Sequence, residues 1–168
     1  MNLQELRKLA GINSSENQPA SLDQLQHSMQ ILLSTAYAFS IKAQGYHWNV
    51  IGPHFSQVHD FLGNIYEEVW KRCDDIAERI RTMDTYAVGC MYSMQQLNNL
   101  NGVPDILEYS DIIGIMEDLN SDNQIVLGCY ANALHYAREL DETGITNFLE
   151  DRMEVHEKHG WMLRSYIS

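Results

Sequence analysis

The segment YHWNVIGPHFSQVHDFLGNIYEEVWKRCDDIAERI, residues 46–80, decides the architecture. It starts at the end of one helical pattern and runs into the next, with Gly52-Pro53 between them. Proline has no amide donor and biases its predecessor away from helical angles, so a helix stops there. Downstream, Phe55, Val58, Leu62, Ile65, Val69, Cys73, Ile76 and Ile80 recur at steps of three and four, which predicts an amphipathic helix to about residue 83. Upstream, Ser21 with Gln24 has the pattern of a capping box. Leu25, Met29, Leu32, Ala36, Phe39 and Ala43 keep the same spacing after it and predict a helix over roughly 21–50. Two long helices joined by so tight a turn run antiparallel.

Residues 84–110 hold Gly89, Asn98, Asn99, Asn101, Gly102 and Pro104, too many breakers for a long helix but enough apolar residues for a short one. A third helix is expected over 111–139, with Ile112, Met116, Leu119, Val126, Tyr130 and Ala137 on one face. A fourth follows Thr143-Gly144, with a stripe of Phe148, Arg152, Val155, His159, Met162 and Tyr166. Residues 1–20, with Gly11, Ser14, Ser15 and Pro19, read as an N-terminal arm in which LQELRKLA can form a short helix, and 21–168 read as one domain. The expected fold is all-α: a ferritin-like four-helix bundle whose long crossover, carrying a short helix, joins helices two and three.

Composition narrows the function. Eleven Lys plus Arg against 23 Asp plus Glu give a net charge of −12, which repels the phosphate backbone and favours cations as partners. Three widely spaced cysteines, Cys73, Cys90 and Cys129, form neither a CxxC pair nor a disulfide framework, so reduced packing thiols in the cytoplasm are expected. No stretch has the length and apolarity of a membrane span or a signal peptide.

Three features can carry metal chemistry: His47, His59, and the pair Asp74 and Glu78. His47 falls four residues after Ala43 and continues the first helix's stripe to a buried or interfacial position; alone, it reads more readily as a satisfied structural histidine than as a ligand. Asp74 and Glu78, one helical turn apart, project two carboxylates from one face, enough to hold a hard cation together. They also belong to a stripe of alternating sign, Glu67, Lys71, Asp74, Glu78 and Arg81, which by itself reads as a solvated face with weak salt bridges. In the hairpin His47 lies beside the start of the second helix, whereas Asp74 is roughly 30 Å up it at 1.5 Å per residue. These groups can share a metal only if two antiparallel copies meet across a two-fold axis. No Glu-x-x-His motif, the mark of a metal site inside the bundle, occurs in the chain.

Residues 46–80 resemble the signature region of the Dps family of mini-ferritins: HWNVIGPHF, a second histidine twelve positions after the first, then DxxxE within DDIAERI. The ending HEKHGWMLRSYI, residues 156–167, is similar as well, so the likeness covers the chain after the arm. The resemblance implies a hollow dodecamer with ferroxidase centres at two-fold interfaces, oxidising Fe(II) with hydrogen peroxide, storing the ferric mineral and protecting against oxidative stress. It implies that His47 of one subunit joins Asp74 and Glu78 of its partner at the tighter iron site, that His59 faces a weaker one, and that Trp48 lines the site. Zinc or another divalent metal suits the same donors. The family usually places a carboxylate four residues after the second histidine; here that position is Gly63, and Asp60 on a neighbouring face is a poor substitute. Gly63 also weakens the helix by about 1 kcal/mol relative to alanine. The alternative is therefore a cage of the same shape with impaired ferroxidase activity, holding another divalent metal or serving as a structural assembly.

Asp141, Glu142, Glu150 and Asp151 are candidates for an acidic three-fold pore, or for helix-dipole complementarity. Thr143 and Asn147 stand where some relatives place pore aspartates. His156 and His159 read as surface histidines, His27, His54 and His135 carry no assigned role, and Met83, Met91 and Met94 are expected to fill gaps in the crossover. Residues 1–20 offer only Arg7 and Lys8 against Glu5 and Glu16, so DNA binding is expected to be weak or absent.

Overall fold

A computed structural model describes residues 2–12, 19–100, 102 and 108–168. Ser14, Ser15, Glu16, Asn101 and Pro104 lie outside the described residues. The described residues form α1 (Leu3–Leu9), α2 (Leu22–Asn49), α3 (Phe55–Thr82), α4 (Met91–Leu97), α5 (Ile112–Glu139) and α6 (Thr143–Ile167), and no strand. The four long helices make the bundle: α2 packs along α3 and α5, and α5 along α6. The short α4 lies against α2 within the crossover, so the all-α, ferritin-like architecture expected from the spacing is the one observed.

The helix ends follow from local chemistry. Ser21 and Gln24 close the capping box at α2, each side chain bonding the other's backbone amide. Gly52 has φ +128°, a conformation that side chains disfavour, and this turns the chain between α2 and α3. The Ile51 amide donates to the Tyr109 carbonyl at 3.1 Å, tying that turn to the start of α5.

Every residue of the expected α2 stripe is buried, and so is the α3 stripe from Val58 to Ile80, whereas Phe55 is exposed at the mouth of the turn. The α6 stripe is rotated by about one residue from expectation. Leu149, His156 and Leu163 face the core, Phe148, Val155 and Met162 flank it, and Tyr166 is exposed. Arg152 and His159 of the expected stripe are buried, and the seam also takes in His156, a polar residue that is buried with a hydrogen-bond partner. Met83 is buried, but Met91 is exposed and fills no gap. Among the described residues no helix is long and apolar enough to cross a membrane.

Helix α1 lies on α5. Leu6 and Ala10 are buried there, and Arg7 Nε donates to Asn132 Oδ1 at 3.1 Å. The approach depends on Gly128, where an added Cβ would stand 2.3 Å from the Leu6 carbonyl oxygen.

The joint between α2 and α5 is ionic. Lys42 Nζ lies 2.6 Å from Asp118 and 2.7 Å from Asp122, and the Tyr46 hydroxyl donates to Asp118 at 2.7 Å. Burial pushes the Asp122 carboxyl above its ordinary value, and Lys42 opposes the shift. Burial, reinforced by Asp118, pushes the Tyr46 phenol well up, so the hydroxyl remains a donor. Removing the ammonium strands two carboxylates, one of them fully enclosed. Lys42→Ala is therefore expected to destabilise the subunit by about 3–5 kcal/mol, read from the midpoint of chemical unfolding at neutral pH.

Candidate metal centre

His47 sits in the last turn of α2 and His59 in the first turns of α3, facing each other across the Gly52-Pro53 turn. The rings stack with centroids 3.7 Å apart and planes at 23°. Each ring bonds the other's backbone: His47 Nδ1 lies 2.7 Å from the His59 carbonyl oxygen, and His59 Nδ1 lies 2.8 Å from that of His47. A carbonyl can only accept, so both Nδ1 atoms carry the hydrogen, and in the neutral tautomer this selects, the lone pair is on Nε2. A backbone acceptor that fixes the tautomer and aims Nε2 outward is the usual second shell of a metal-binding histidine. Phe55 packs beyond His59 at 5.0 Å and Tyr66 beside His47 at 5.1 Å, so the pair is the middle of an aromatic column. Spacing along α3 puts Phe55 on the core stripe rather than against His59 and does not single out Tyr66, although Tyr66 follows His59 by two helical turns.

Asp74 and Glu78 are exposed and, among the described residues, neither takes part in an ion pair or a side-chain hydrogen bond. The salt bridges expected along their stripe are absent there. The ion pairs of α3 belong to the next face, where Arg72 Nη1 meets Asp75 at 2.9 Å and Glu68 pairs with Arg152 of α6. Asp74 comes fifteen residues after His59, about 22 Å at 1.5 Å per residue. One subunit therefore does not bring its histidines to its own carboxylates, and among the described residues no group of three or more His, Cys, Asp or Glu forms a metal site.

Trp48, next to His47, and Asp74 border a surface trough. A cavity of about 750 Å³ between α2 and α4 is lined by Ile41, Trp48 and Met91, and a second of about 460 Å³ is lined by Trp70, Asp74 and Val88. Tyr37 and Met94 line both, so the trough runs from Trp48 to Asp74, while His47, His59 and Glu78 line neither cavity. Gly63 is buried at the histidine end, with His47 3.3 Å from where its Cβ would be.

His156 and His159 are not surface residues. Both are buried in the bundle, His156 packed between Phe39 and Tyr130, with its Nδ1 2.8 Å from Asn123 Oδ1 while Asn123 Nδ2 donates to the His156 carbonyl. Desolvation lowers both imidazoles below their ordinary value, His156 far below it. Of the cysteines, Cys73 and Cys129 are packing thiols pushed up by burial to about 12 and about 11, but Cys90 is exposed at the start of α4. Asp141, Glu142, Glu150 and Asp151 are all exposed, and Glu150 pairs with Arg138 at 2.5 Å.

A long-crossover bundle with histidines at one end of a helical hairpin and free carboxylates at the other defines a ferritin-like protein, and the ferritin family model, described as a ferritin-like domain, matches residues 22–168. Within that class the chain belongs to the Dps family of mini-ferritins. It is 32% identical over 136 residues to an uncharacterized low temperature-induced protein of Nostoc sp., covering 80% of this chain and 75% of the relative. It is 25% identical over 127 residues to the DNA protection during starvation protein 2 of Bacillus anthracis, covering 76% of this chain and 85% of that one. The crystal structure of the Dps protein from Vibrio cholerae O1 superposes with a TM-score of 0.80 at 22% identity, over 92% of this chain and all of that one.

The buried histidines set a pH dependence. His156 resists protonation in the fold but takes up a proton when unfolded, so its contribution to stability is full above the ordinary value of 6.5 and is lost as pH falls below it toward the folded value. The melting temperature is expected to drop between about pH 7.5 and 5.5, and the drop should be shallower in His156→Gln. Parallel curves for the two proteins would remove His156 as the cause.

Proposed function

We propose that this protein is a cage subunit that binds ferrous iron at sites shared between two-fold related copies, oxidises it and stores the ferric product, protecting the cytoplasm from iron and peroxide together. The observation that carries this reading is the paired imidazoles, each with Nδ1 committed to backbone, in a subunit whose exposed and unpaired carboxylates Asp74 and Glu78 lie out of their reach along α3. A second copy running antiparallel along the trough brings His47 of each subunit to Asp74 and Glu78 of the other, as an isologous interface requires. Its lining supports such a contact: Trp48 is 67% exposed, Met91 60% and Tyr92 73%, an apolar patch of the kind that marks association surfaces. The dodecamer is proposed from family membership.

The chemistry is electron transfer from bound metal. Imidazole and carboxylate hold Fe(II) as substrate and favour Fe(III), the harder ion, once an electron leaves. Two ferrous ions supply the two electrons that, with two protons, convert one hydrogen peroxide to two waters. The acidic protein, net charge −12, draws the cation in. The same donors accept zinc, which by affinity order competes with iron.

A second reading is kept because Gly63 leaves His59 without a carboxylate one turn on: a cage that holds a divalent ion at His47, Asp74 and Glu78 but oxidises iron poorly. Retention of DNA is not part of either reading. Of the two basic residues near the N-terminus, Arg7 is buried against Asn132, leaving Lys8 alone at the surface.

Anaerobic Fe(II) loading followed by peroxide tests the assignment. Oxidation is expected to fall by about tenfold or more in both His47→Ala and Asp74→Ala. Cages reassembled from an equal mixture of the two variants should recover about a quarter of wild-type activity, because half the random pairs are mixed and each has one intact site. Unchanged oxidation in His47→Ala, or no recovery on mixing, removes the shared ferroxidase site; stoichiometric binding of the divalent ion without oxidation selects the second reading. A plasmid gel shift at physiological salt and neutral pH should show no retarded band at near-stoichiometric cage.

A further inference from the structure

Gly63 has no conformational reason to be glycine. It lies inside α3 with ordinary helical geometry and no positive φ, where alanine is the better helix former. What distinguishes the position is its neighbour. A Cβ at 63 would stand 3.3 Å from both Cε1 and Nδ1 of His47, closer than carbon normally approaches, and His47 is held on its other sides. His59 stacks at 3.7 Å, Tyr66 packs at 5.1 Å, and Nδ1 itself is fixed 2.7 Å from the His59 carbonyl. The half-buried ring must give way to a methyl group by a few tenths of an ångström, and any such shift strains the stack or the hydrogen bond that sets its tautomer.

We propose that Gly63 is a positioning residue: its missing side chain is the seat that keeps the His47 imidazole stacked on His59 with Nε2 free for a divalent cation. The carboxylate absent from this turn is thus exchanged for a fixed imidazole pair, and the centre becomes richer in nitrogen donors and holds one divalent cation per half-interface. The positioning role is a property of the metal-free fold; the metal stoichiometry rests on the shared-site reading of the proposed function.

A double-mutant cycle on the metal-free cage tests the seat. Gly63→Ala is expected to lower the melting temperature in the wild-type background, because the methyl presses on a fixed ring. In the His47→Ala background the space is vacated, only the helix-propensity gain remains, and the same substitution should raise the melting temperature by about 2–4 °C. A change of the same sign in both backgrounds overturns the proposal. The second arm titrates Co(II) alone, followed by its visible absorption. Wild type should take up one Co(II) per half-interface, and both Gly63→Ala and Gly63→Asp should bind about tenfold more weakly, although the aspartate adds a carboxylate. Tighter binding by Gly63→Asp overturns the proposal. If Co(II) binding is the same in wild type and His47→Ala, the shared metal site fails, while the sign inversion still decides whether Gly63 seats the ring.

Discussion

A helix rises 1.5 Å per residue and does not fold back on itself, and from that constraint the rest of the molecule follows. The turn Val50–His54 fixes α2 and α3 as antiparallel rods, so a histidine at the end of one meets a histidine at the start of the other. Carboxylates fifteen residues further along α3 are then out of reach of those histidines within the subunit. Metal-binding ferritin-like bundles commonly solve this by pointing ligands from several helices into the core. Here the corresponding core is closed to a cation. Arg152 occupies it from α6, paired with Glu68, and the neighbouring imidazoles of His156 and His159 are buried in a region that disfavours added positive charge. The unpaired acids Asp74 and Glu78 are exposed, so the proposed shared site puts metal chemistry at the subunit's surface.

That closed core also explains how the helices are kept in register. Hydrophobic packing between long helices is tolerant of sliding, whereas buried charges are not, because a displaced partner leaves an uncompensated ion in a low-dielectric interior. Two such points are set at different heights of the bundle: Lys42 between Asp118 and Asp122 joins α2 to α5, and Glu68 with Arg152 joins α3 to α6. Arg79 adds a third contact between α3 and α6, its guanidinium 3.6 Å over the Phe148 ring. Since His47 stands five residues beyond Lys42, and Asp74 six beyond Glu68, the pins that fix the helix pairs also fix the two halves of the proposed centre.

Most of the fold was legible because its helices obey one periodicity and its turns carry glycine and proline. Leu25 to Ala43 and Val58 to Ile80 could be read from spacing alone, and the histidines and paired carboxylates could be named because their intervals are unusual. The misreadings share a cause. His156 is a polar residue satisfied by a long-range partner, Asn123, and nothing in the local sequence announces a partner 33 residues away. Hence spacing alone sets the α6 seam about a residue off and leaves His156 looking like a surface histidine. The docking of α1 was hidden for a similar reason: it depends on Gly128, and a glycine within a helix looks like a defect until a second backbone is found lying against it.

Gly63 and Gly128 are two instances of one physical rule with different consequences. Each lies in a helix where alanine would be the better former, and at each the weaker local propensity is offset by a close approach that a methyl would forbid. At Gly128 the approaching group is backbone, which cannot yield, so that glycine serves the packing of α1 on α5. At Gly63 it is an imidazole that could swing aside were it not stacked and hydrogen-bonded, so the glycine has meaning only together with His59 and the turn that brings it there. Replacing a carboxylate by nothing at this position therefore does more than delete a ligand. On the proposed reading it uses the released volume to hold an imidazole donor still, moving the centre away from binding cations by charge and toward binding them by preorganised geometry.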